Sequence, residues 1–126
     1  MPPTLHVLIA DDHTEMRVVL AHVVAQLYPA ATIAEAADGA EALSAITPRR
    51  PDLVITDYQM PMLDGLALTR TLRAHGERMP ILALSSDASV AAAILAAGAT
   101  AFLAKPFRVC ELLETLRALL PDDQGS

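Results

Sequence analysis

The residues of this chain that could do chemistry together stand where short apolar runs end. Four charged residues share this position: Asp11, Asp12, Asp57 and Lys105. If the apolar runs are neighbouring parallel strands, their carboxyl ends meet at one edge of a sheet, and the charged side chains converge there. A carboxylate held at such an edge can act as a metal ligand, a general base or a nucleophile.

Carboxylates that converge in this way repel each other and require positive charge beside them. Two carboxylates about 4 Å apart repel by roughly 4 kcal/mol at an effective dielectric constant of 20. Lys105, the only lysine, supplies one positive charge. A divalent cation would supply the rest, and an all-oxygen site that tolerates water favours Mg²⁺ or Mn²⁺ over zinc. Asp57 could then attack a phosphoryl group, with Lys105 and the Ser85 hydroxyl stabilising its oxygens.

Strand-like and helix-periodic segments alternate along the whole chain. The predicted strands are 6–10, 32–36, 53–56, 81–84 and 100–103. The predicted helices are 15–27, 40–46, 67–73, 89–97 and 109–120. Most of the strands are continuously apolar, which is typical of a sheet that is covered on both faces. The strict alternation therefore predicts an α/β fold with a parallel sheet.

The composition indicates one small domain. A chain of 126 residues with 53% hydrophobic content is long enough to bury roughly two-thirds of its unfolded surface. We assign residues 1–120 to this domain and residues 121–126 to a C-terminal tail or the start of a linker. Nine basic residues against fifteen acidic ones give a net charge of −6 without a basic patch, so we expect no direct nucleic-acid binding.

Several features predict a cytoplasmic protein. Cys110 is the single cysteine, which excludes an internal disulfide and fits a reducing compartment. The first residues, Met1–Thr4, do not form the start of a signal peptide. The longest apolar run, residues 90–99, has half the length that a bilayer span requires, so we expect no membrane interaction.

An ordered set of residues across the chain resembles the receiver domain of bacterial two-component response regulators. The set extends from about Leu5 to Leu120 and comprises Asp11, Asp12, Asp57, Met60, Pro61, Asp64, Gly65, Ser85, Gly98, Ala99, Phe102, Lys105, Pro106 and Phe107. The resemblance implies a flavodoxin-like, doubly wound sheet of five parallel strands in the order 2-1-3-4-5, with five helices. It implies a signalling domain that is not an enzyme in the ordinary sense, although it catalyses its own phosphoryl transfer and dephosphorylation.

The resemblance also implies how the phosphoryl group is received. Asp57 would accept it from a phosphohistidine on a sensor histidine kinase or a histidine phosphotransfer protein. Asp12 and Asp57 would bind Mg²⁺ directly, Asp11 would act mainly through bound water, and Gln59 would contribute its backbone carbonyl. Lys105 would contact the phosphoryl oxygens.

Further residues match the family's switch. Ser85 and Phe102 correspond to the pair in which the hydroxyl turns toward the phosphoryl group and the aromatic ring moves inward. Phe102 stands where tyrosine is frequent, so a phenol hydroxyl cannot serve here. The bond between Lys105 and Pro106 matches a peptide bond that is usually cis. The face of the fourth helix, fifth strand and fifth helix would then bind a partner, an output domain or a second copy in a homodimer.

Three other functions compete with this interpretation. A flavodoxin-like electron carrier needs a phosphate-binding loop where the acidic Asp11 and Asp12 stand. A Mg²⁺-dependent phosphatase would carry a second aspartate where Gln59 stands. A receiver-like binding scaffold that is never phosphorylated remains the main alternative, although all five chemical positions are retained. His13 follows the acidic pair, and we expect it to be an exposed first-turn residue rather than a metal ligand.

Overall fold

Five strands and five helices alternate in the computed structural model, which describes residues 5–120. The predictions for residues 1–4 and for the tail 121–126 lie outside the described residues. The strands are β1 (His6–Ala10), β2 (Thr32–Ala36), β3 (Leu53–Asp57), β4 (Ile81–Ser85) and β5 (Ala101–Ala104). The helices are α1 (Thr14–Leu27), α2 (Gly39–Ile46), α3 (Gly65–Ala74), α4 (Ala91–Ala96) and α5 (Val109–Leu119). Every predicted element is present, and the ends differ by at most two residues.

The strands form one parallel sheet in the order β2-β1-β3-β4-β5, which confirms the predicted fold class. The three central strands are buried along their whole length, because helices cover both of their faces. The two edge strands, β2 and β5, remain partly exposed. This difference explains why the central strands have continuously apolar sequences. None of the helices in residues 5–120 is long and apolar enough to cross a membrane.

Successive strand side chains point to opposite faces and build two cores. On one face, Val7, Ile9 and Ile55 pack with buried residues of α1 and α5. On the other face, Leu8 and Val54 pack with buried residues of α2, α3 and α4. The central strands are thus held from both sides, which fixes the positions of the residues at their carboxyl ends.

The predicted fourth helix is shorter and less regular than its sequence suggests. It begins as a 3₁₀ turn, Ala88–Val90, where the Asp87 carboxylate accepts a hydrogen bond from the Ser89 amide. Only then does α4 start, and Ile94 is its single buried residue. The alanine-rich sequence favours a helix, but it gives α4 little apolar surface to bury. Among the five helices, α4 is therefore held most weakly by the core.

A close backbone approach at the start of α3 requires glycine at position 65. A Cβ atom on Gly65 would lie 2.5 Å from the carbonyl oxygen of Asp57. The Gly65 amide also donates a 2.7 Å hydrogen bond to the carbonyl of Tyr58. The loop after β3 is therefore folded tightly against the end of its own strand.

We predict that Gly65→Ala lowers the free energy of unfolding by about 2–3 kcal/mol, because the added methyl group overpacks this contact. Gly76→Ala is the matched control: that glycine has a φ of +80° but open space around it, so its substitution should cost about 1 kcal/mol. Urea denaturation followed by circular dichroism measures both values. An equal or smaller loss at position 65 would contradict the proposed steric cause.

Candidate functional site

The strand register brings Asp11 and Asp57 together at the carboxyl edge of the sheet. Ala10 lies opposite Thr56 in the pair of β1 and β3, so the next residues, Asp11 and Asp57, are neighbours. The Lys105 ammonium donates a 3.0 Å hydrogen bond to Asp57 Oδ1 and lies 3.5 Å from Asp11 Oδ2. One lysine thus faces two buried carboxylates, as the sequence pattern predicts.

Strands β4 and β5 position Ser85 and Lys105 beside this pair. Ser85 pairs with Ala104, and the next residue, Lys105, donates its backbone N–H to the Ser85 carbonyl at 2.8 Å. The Ser85 hydroxyl oxygen is buried and accepts a 3.0 Å hydrogen bond from the Asp87 amide, which leaves the hydroxyl hydrogen available to a ligand. The peptide bond between Lys105 and Pro106 is cis, the geometry that the family resemblance implies.

The acidic side chains form a group that fits a divalent cation. Ligand atoms of Asp11, Asp12, His13 and Asp57 all lie within 4.8 Å of one another. Asp11 is fully buried, and its Oδ2 atom has no hydrogen-bond partner among the described residues. A buried carboxylate oxygen in this condition is costly unless a cation compensates it. Three carboxylates with one such oxygen match the ligand chemistry of Mg²⁺ and Mn²⁺.

The electrostatics of Asp57 are dominated by its burial. Burial raises the pKa of the Asp57 carboxyl above its ordinary value, and the nearby Asp11 acts in the same direction. The hydrogen bond and the charge of Lys105 oppose this effect and lower the pKa, as does a backbone hydrogen bond from Tyr58. The removal of water from the carboxylate outweighs the stabilisation by the lysine.

Two further predicted site residues, Gln59 and Phe102, lie on the loop after β3 and on β5. Gln59 is exposed in the loop that follows β3, two residues after Asp57. Phe102 is half-buried on β5 and packs against the core formed with α2, α3 and α4. The metal-binding carbonyl of Gln59 and the switching of Phe102 remain predictions.

His13 is exposed, as predicted, but it stands at the N-cap of α1 and faces the acids. Its Nδ1 atom lies 3.1 Å from Asp12 Oδ1 and 3.3 Å from Asp11 Oδ1. From the sequence we expected an exposed first-turn residue and did not anticipate this contact. Its position directly after two acids was the available signal.

An apolar groove beside Lys105 was also missed. It has a volume of about 390 Å³ and is lined by Met16, Val19, Ser86, Lys105, Pro106, Phe107 and Val109. The side chains of Val19 and Val109 are about half exposed there. Valine at outward positions of two helices was the only sequence signal, and the groove exists only because α1 and α5 are adjacent in the fold.

Comparison with known proteins identifies relatives across nearly the whole chain. The sequence model of the response regulator receiver domain matches residues 7–117. Response regulator MprA of Mycolicibacterium vanbaalenii is 41% identical over 125 residues, which cover 94% of this chain and 53% of that protein. The chain thus spans about half the length of the curated relatives it matches.

Solved structures give the same result. A putative response regulator from Chloroflexus aurantiacus superimposes with a TM-score of 0.86 at 33% identity, covering 95% of this chain and 100% of the other. The receiver domain of a sensor histidine kinase from Pseudomonas aeruginosa has a TM-score of 0.80 at 30% identity, covering 93% and 98%. That structure is described with a magnesium ion coordinated in its active-site cleft.

We predict that Asp57→Asn raises the free energy of unfolding by about 1 kcal/mol at neutral pH in EDTA, because it removes a desolvated charge beside Asp11. A raised pKa means that the folded state holds the Asp57 proton more tightly than the unfolded state. The ionised carboxylate therefore destabilises the folded state. This loss of stability develops as the pH rises from the ordinary pKa of 3.8 through the raised pKa of Asp57 in the folded chain. The gain in the Asn variant should accordingly vanish at acidic pH.

Urea denaturation of both proteins across this pH range measures the effect. Glu114→Gln is the control, because Glu114 is an exposed acid of α5 without a hydrogen bond or ion pair among the described residues, and its replacement should change stability by less than about 0.5 kcal/mol. A loss of stability in Asp57→Asn at neutral pH would contradict the proposed electrostatic cost.

Proposed function

The chain belongs to the response regulator receiver domain family, and from this premise we propose that Asp57 accepts a phosphoryl group in a two-component phosphorelay. The donor would be a phosphohistidine on a sensor histidine kinase or a histidine phosphotransfer protein, in the cytoplasm. The observation that carries the proposal is the buried Asp57 carboxylate, which is hydrogen-bonded at 3.0 Å to Lys105 and lies beside Asp11, whose Oδ2 atom has no hydrogen-bond partner among the described residues.

The proposed transfer requires little from the protein beyond positioning and charge. A carboxylate oxygen of Asp57 forms a bond to phosphorus, the bond from phosphorus to the donor imidazole breaks, and the imidazole leaves. The Lys105 ammonium, already beside Asp57, balances negative charge on the phosphoryl oxygens, and Ser85 donates its free hydroxyl hydrogen to one of them. Because Asp57 is buried, little water competes for the nucleophile.

A divalent cation completes the proposed site. Asp11, Asp12 and Asp57 would hold it, with the backbone carbonyl of Gln59 as a further ligand. When bound, the cation neutralises developing charge on the phosphoryl oxygens. We propose Mg²⁺, with Mn²⁺ as an alternative, because the acidic ligands are hard oxygen donors. The magnesium ion described in the Pseudomonas receiver domain supports this choice.

We further propose that the phosphoryl group acts on α4 through Ser85. In the unphosphorylated chain the Ser85 hydroxyl oxygen accepts a hydrogen bond from the Asp87 amide. The Asp87 carboxylate in turn accepts a hydrogen bond from the Ser89 amide and so caps the 3₁₀ turn before α4. Rotation of the hydroxyl toward a phosphoryl oxygen would remove this anchor. Since Ile94 is the only buried residue of α4, a small change can shift the population of its arrangements.

The surface that responds would be the face of α4, β5 and α5. Inward movement of Phe102 into the space left by Ser85 would change the same face from the side of β5. An output domain, a partner protein or a second copy of the chain would bind there. Leu95, an exposed apolar residue of α4, lies where such a partner would make contact.

The apolar groove beside Lys105 fits the histidine-bearing donor. A phosphohistidine must approach Asp57 from solvent, and Lys105 both contacts Asp57 and lines the groove. Met16, Val19 and Val109 supply apolar surface that a helix of the donor could cover while its histidine reaches the acid. We therefore assign this groove to the phosphodonor rather than to the output partner.

Labelling with a small phosphodonor tests the acceptor. Acetyl phosphate with Mg²⁺ should phosphorylate the wild-type chain with release of acetate, and Asp57→Asn should abolish the label seen by intact-mass spectrometry. Asp52→Asn should retain it, because Asp52 lies at the opposite edge of the sheet. EDTA should block labelling of the wild-type chain. A persistent label on Asp57→Asn, or uptake without metal, would exclude the proposed site.

A charged substitution in the groove tests docking of the donor separately from the phosphorylation of Asp57. We predict that Val19→Glu slows transfer from a phosphorylated histidine phosphotransfer domain by about tenfold or more, because it buries a carboxylate in an apolar interface. Labelling by acetyl phosphate should be unchanged. Leu95→Glu makes the same change on α4 and should leave both reactions intact. Equal slowing of both reactions by Val19→Glu would mean that it damages the site rather than docking.

A further inference from the structure

His13 is placed to take part in the chemistry of the acidic group. Its Nδ1 atom lies between two carboxylates, 3.1 Å from Asp12 Oδ1 and 3.3 Å from Asp11 Oδ1. Its backbone N–H donates a 2.8 Å hydrogen bond to Asp11 Oδ1, which fixes the main chain beside the acids. The side chain is 71% exposed, so the ring can adjust its orientation around this fixed point.

Helix stability does not explain a histidine at this position. His13 is the N-cap of α1, where Ser, Thr, Asp and Asn are preferred because their oxygen atoms accept free amides of the first turn. The His13 side chain makes no such capping hydrogen bond. It is directed toward the carboxylates instead, so its contacts are those of the acidic group rather than those of the helix.

A second observation indicates that this group takes a cation. Asp11 Oδ2 is buried without a hydrogen-bond partner among residues 5–120, and the Lys105 ammonium reaches it only at 3.5 Å. One lysine cannot fully compensate both Asp11 and Asp57. One ligand atom from each of Asp11, Asp12, His13 and Asp57 lies within 4.8 Å of the others, so a cation bound by the acids is within reach of the His13 ring.

We propose that His13 provides a nitrogen ligand to this cation and shifts the preference of the site from Mg²⁺ toward transition-metal ions. Mg²⁺ binds oxygen ligands almost exclusively, whereas Co²⁺, Ni²⁺ and Zn²⁺ gain affinity from an imidazole nitrogen. The proposal rests on the proposed metal-binding role of Asp11, Asp12 and Asp57. It adds a residue that controls which ion occupies the site.

Metal titration without any phosphodonor tests this role. Isothermal titration calorimetry at about pH 8 gives the affinities of the wild-type chain for Co²⁺ and Mg²⁺. His13→Ala should weaken Co²⁺ binding by about tenfold and change Mg²⁺ binding by less than about twofold. His22→Ala removes an exposed histidine from the same helix and should change neither affinity.

Paramagnetic NMR gives an independent measurement. Co²⁺ should shift the ring signals of His13 strongly and those of His22 weakly. Equal loss of Co²⁺ and Mg²⁺ affinity in His13→Ala, or tighter binding of both ions, would overturn the proposal, because the ring would then act only through hydrogen bonding or charge. If Mg²⁺ binds and Asp57 is not labelled, the phosphoacceptor function fails while the metal preference stands.

Discussion

The properties of the site depend on one interaction, the contact of a single ammonium group with two buried carboxylates. Lys105 lies 3.0 Å from Asp57 and 3.5 Å from Asp11, so positive charge at this edge of the sheet falls short of negative charge. Burial raises the pKa of Asp57 in spite of the lysine, which shows that the folded chain holds this carboxylate at a cost in free energy. The parallel register leaves the acids no alternative position. In the proposed function, this uncompensated charge favours binding of a divalent cation and reaction of Asp57 with a phosphoryl group.

The fold separates a rigid part from a weakly held part around this contact. Strands β1, β3 and β4 are completely buried and hold the acids in place between two cores. In contrast, α4 is anchored by Ile94 alone and is preceded by a 3₁₀ turn. In the proposed function, a phosphoryl group bound at these rigid acids would therefore change the position of α4 rather than that of the central strands. The hydrogen bond from the Asp87 amide to Ser85 joins the two parts, since Ser85 ends β4 and Asp87 begins the path to α4.

The sequence predicted the elements and the converging acids well because both follow from local patterns. Continuous apolar runs that end in Asp57 or precede Asp11 reveal buried strands together with their carboxyl ends. The order of the strands was predicted from the family resemblance. Alternation of strands and helices predicts a parallel sheet, but it does not determine which strands are neighbours. The regular part of α4 begins two residues later than predicted, because hydrogen bonding between Asp87 and Ser89 competes with the helical preference of alanine. The contacts of His13 with Asp11 and Asp12 are local, and its position after the two acids was their only sequence signal. The groove beside Lys105 depends on tertiary packing that no local pattern contains.

Lys105 links the two surfaces that the proposed function requires. Its ammonium contacts Asp57 and borders the apolar groove, while its backbone amide donates to the Ser85 carbonyl at the end of β4. A phosphodonor that approaches Asp57 through the groove would therefore contact Lys105, whose backbone is hydrogen-bonded to Ser85. Phe102, the second residue of the proposed switch, lies three residues earlier on β5, a short and partly exposed edge strand. In the proposed function, donor binding and the response of the α4, β5 and α5 face would thus share one structural element, so no continuous path through the core would be required.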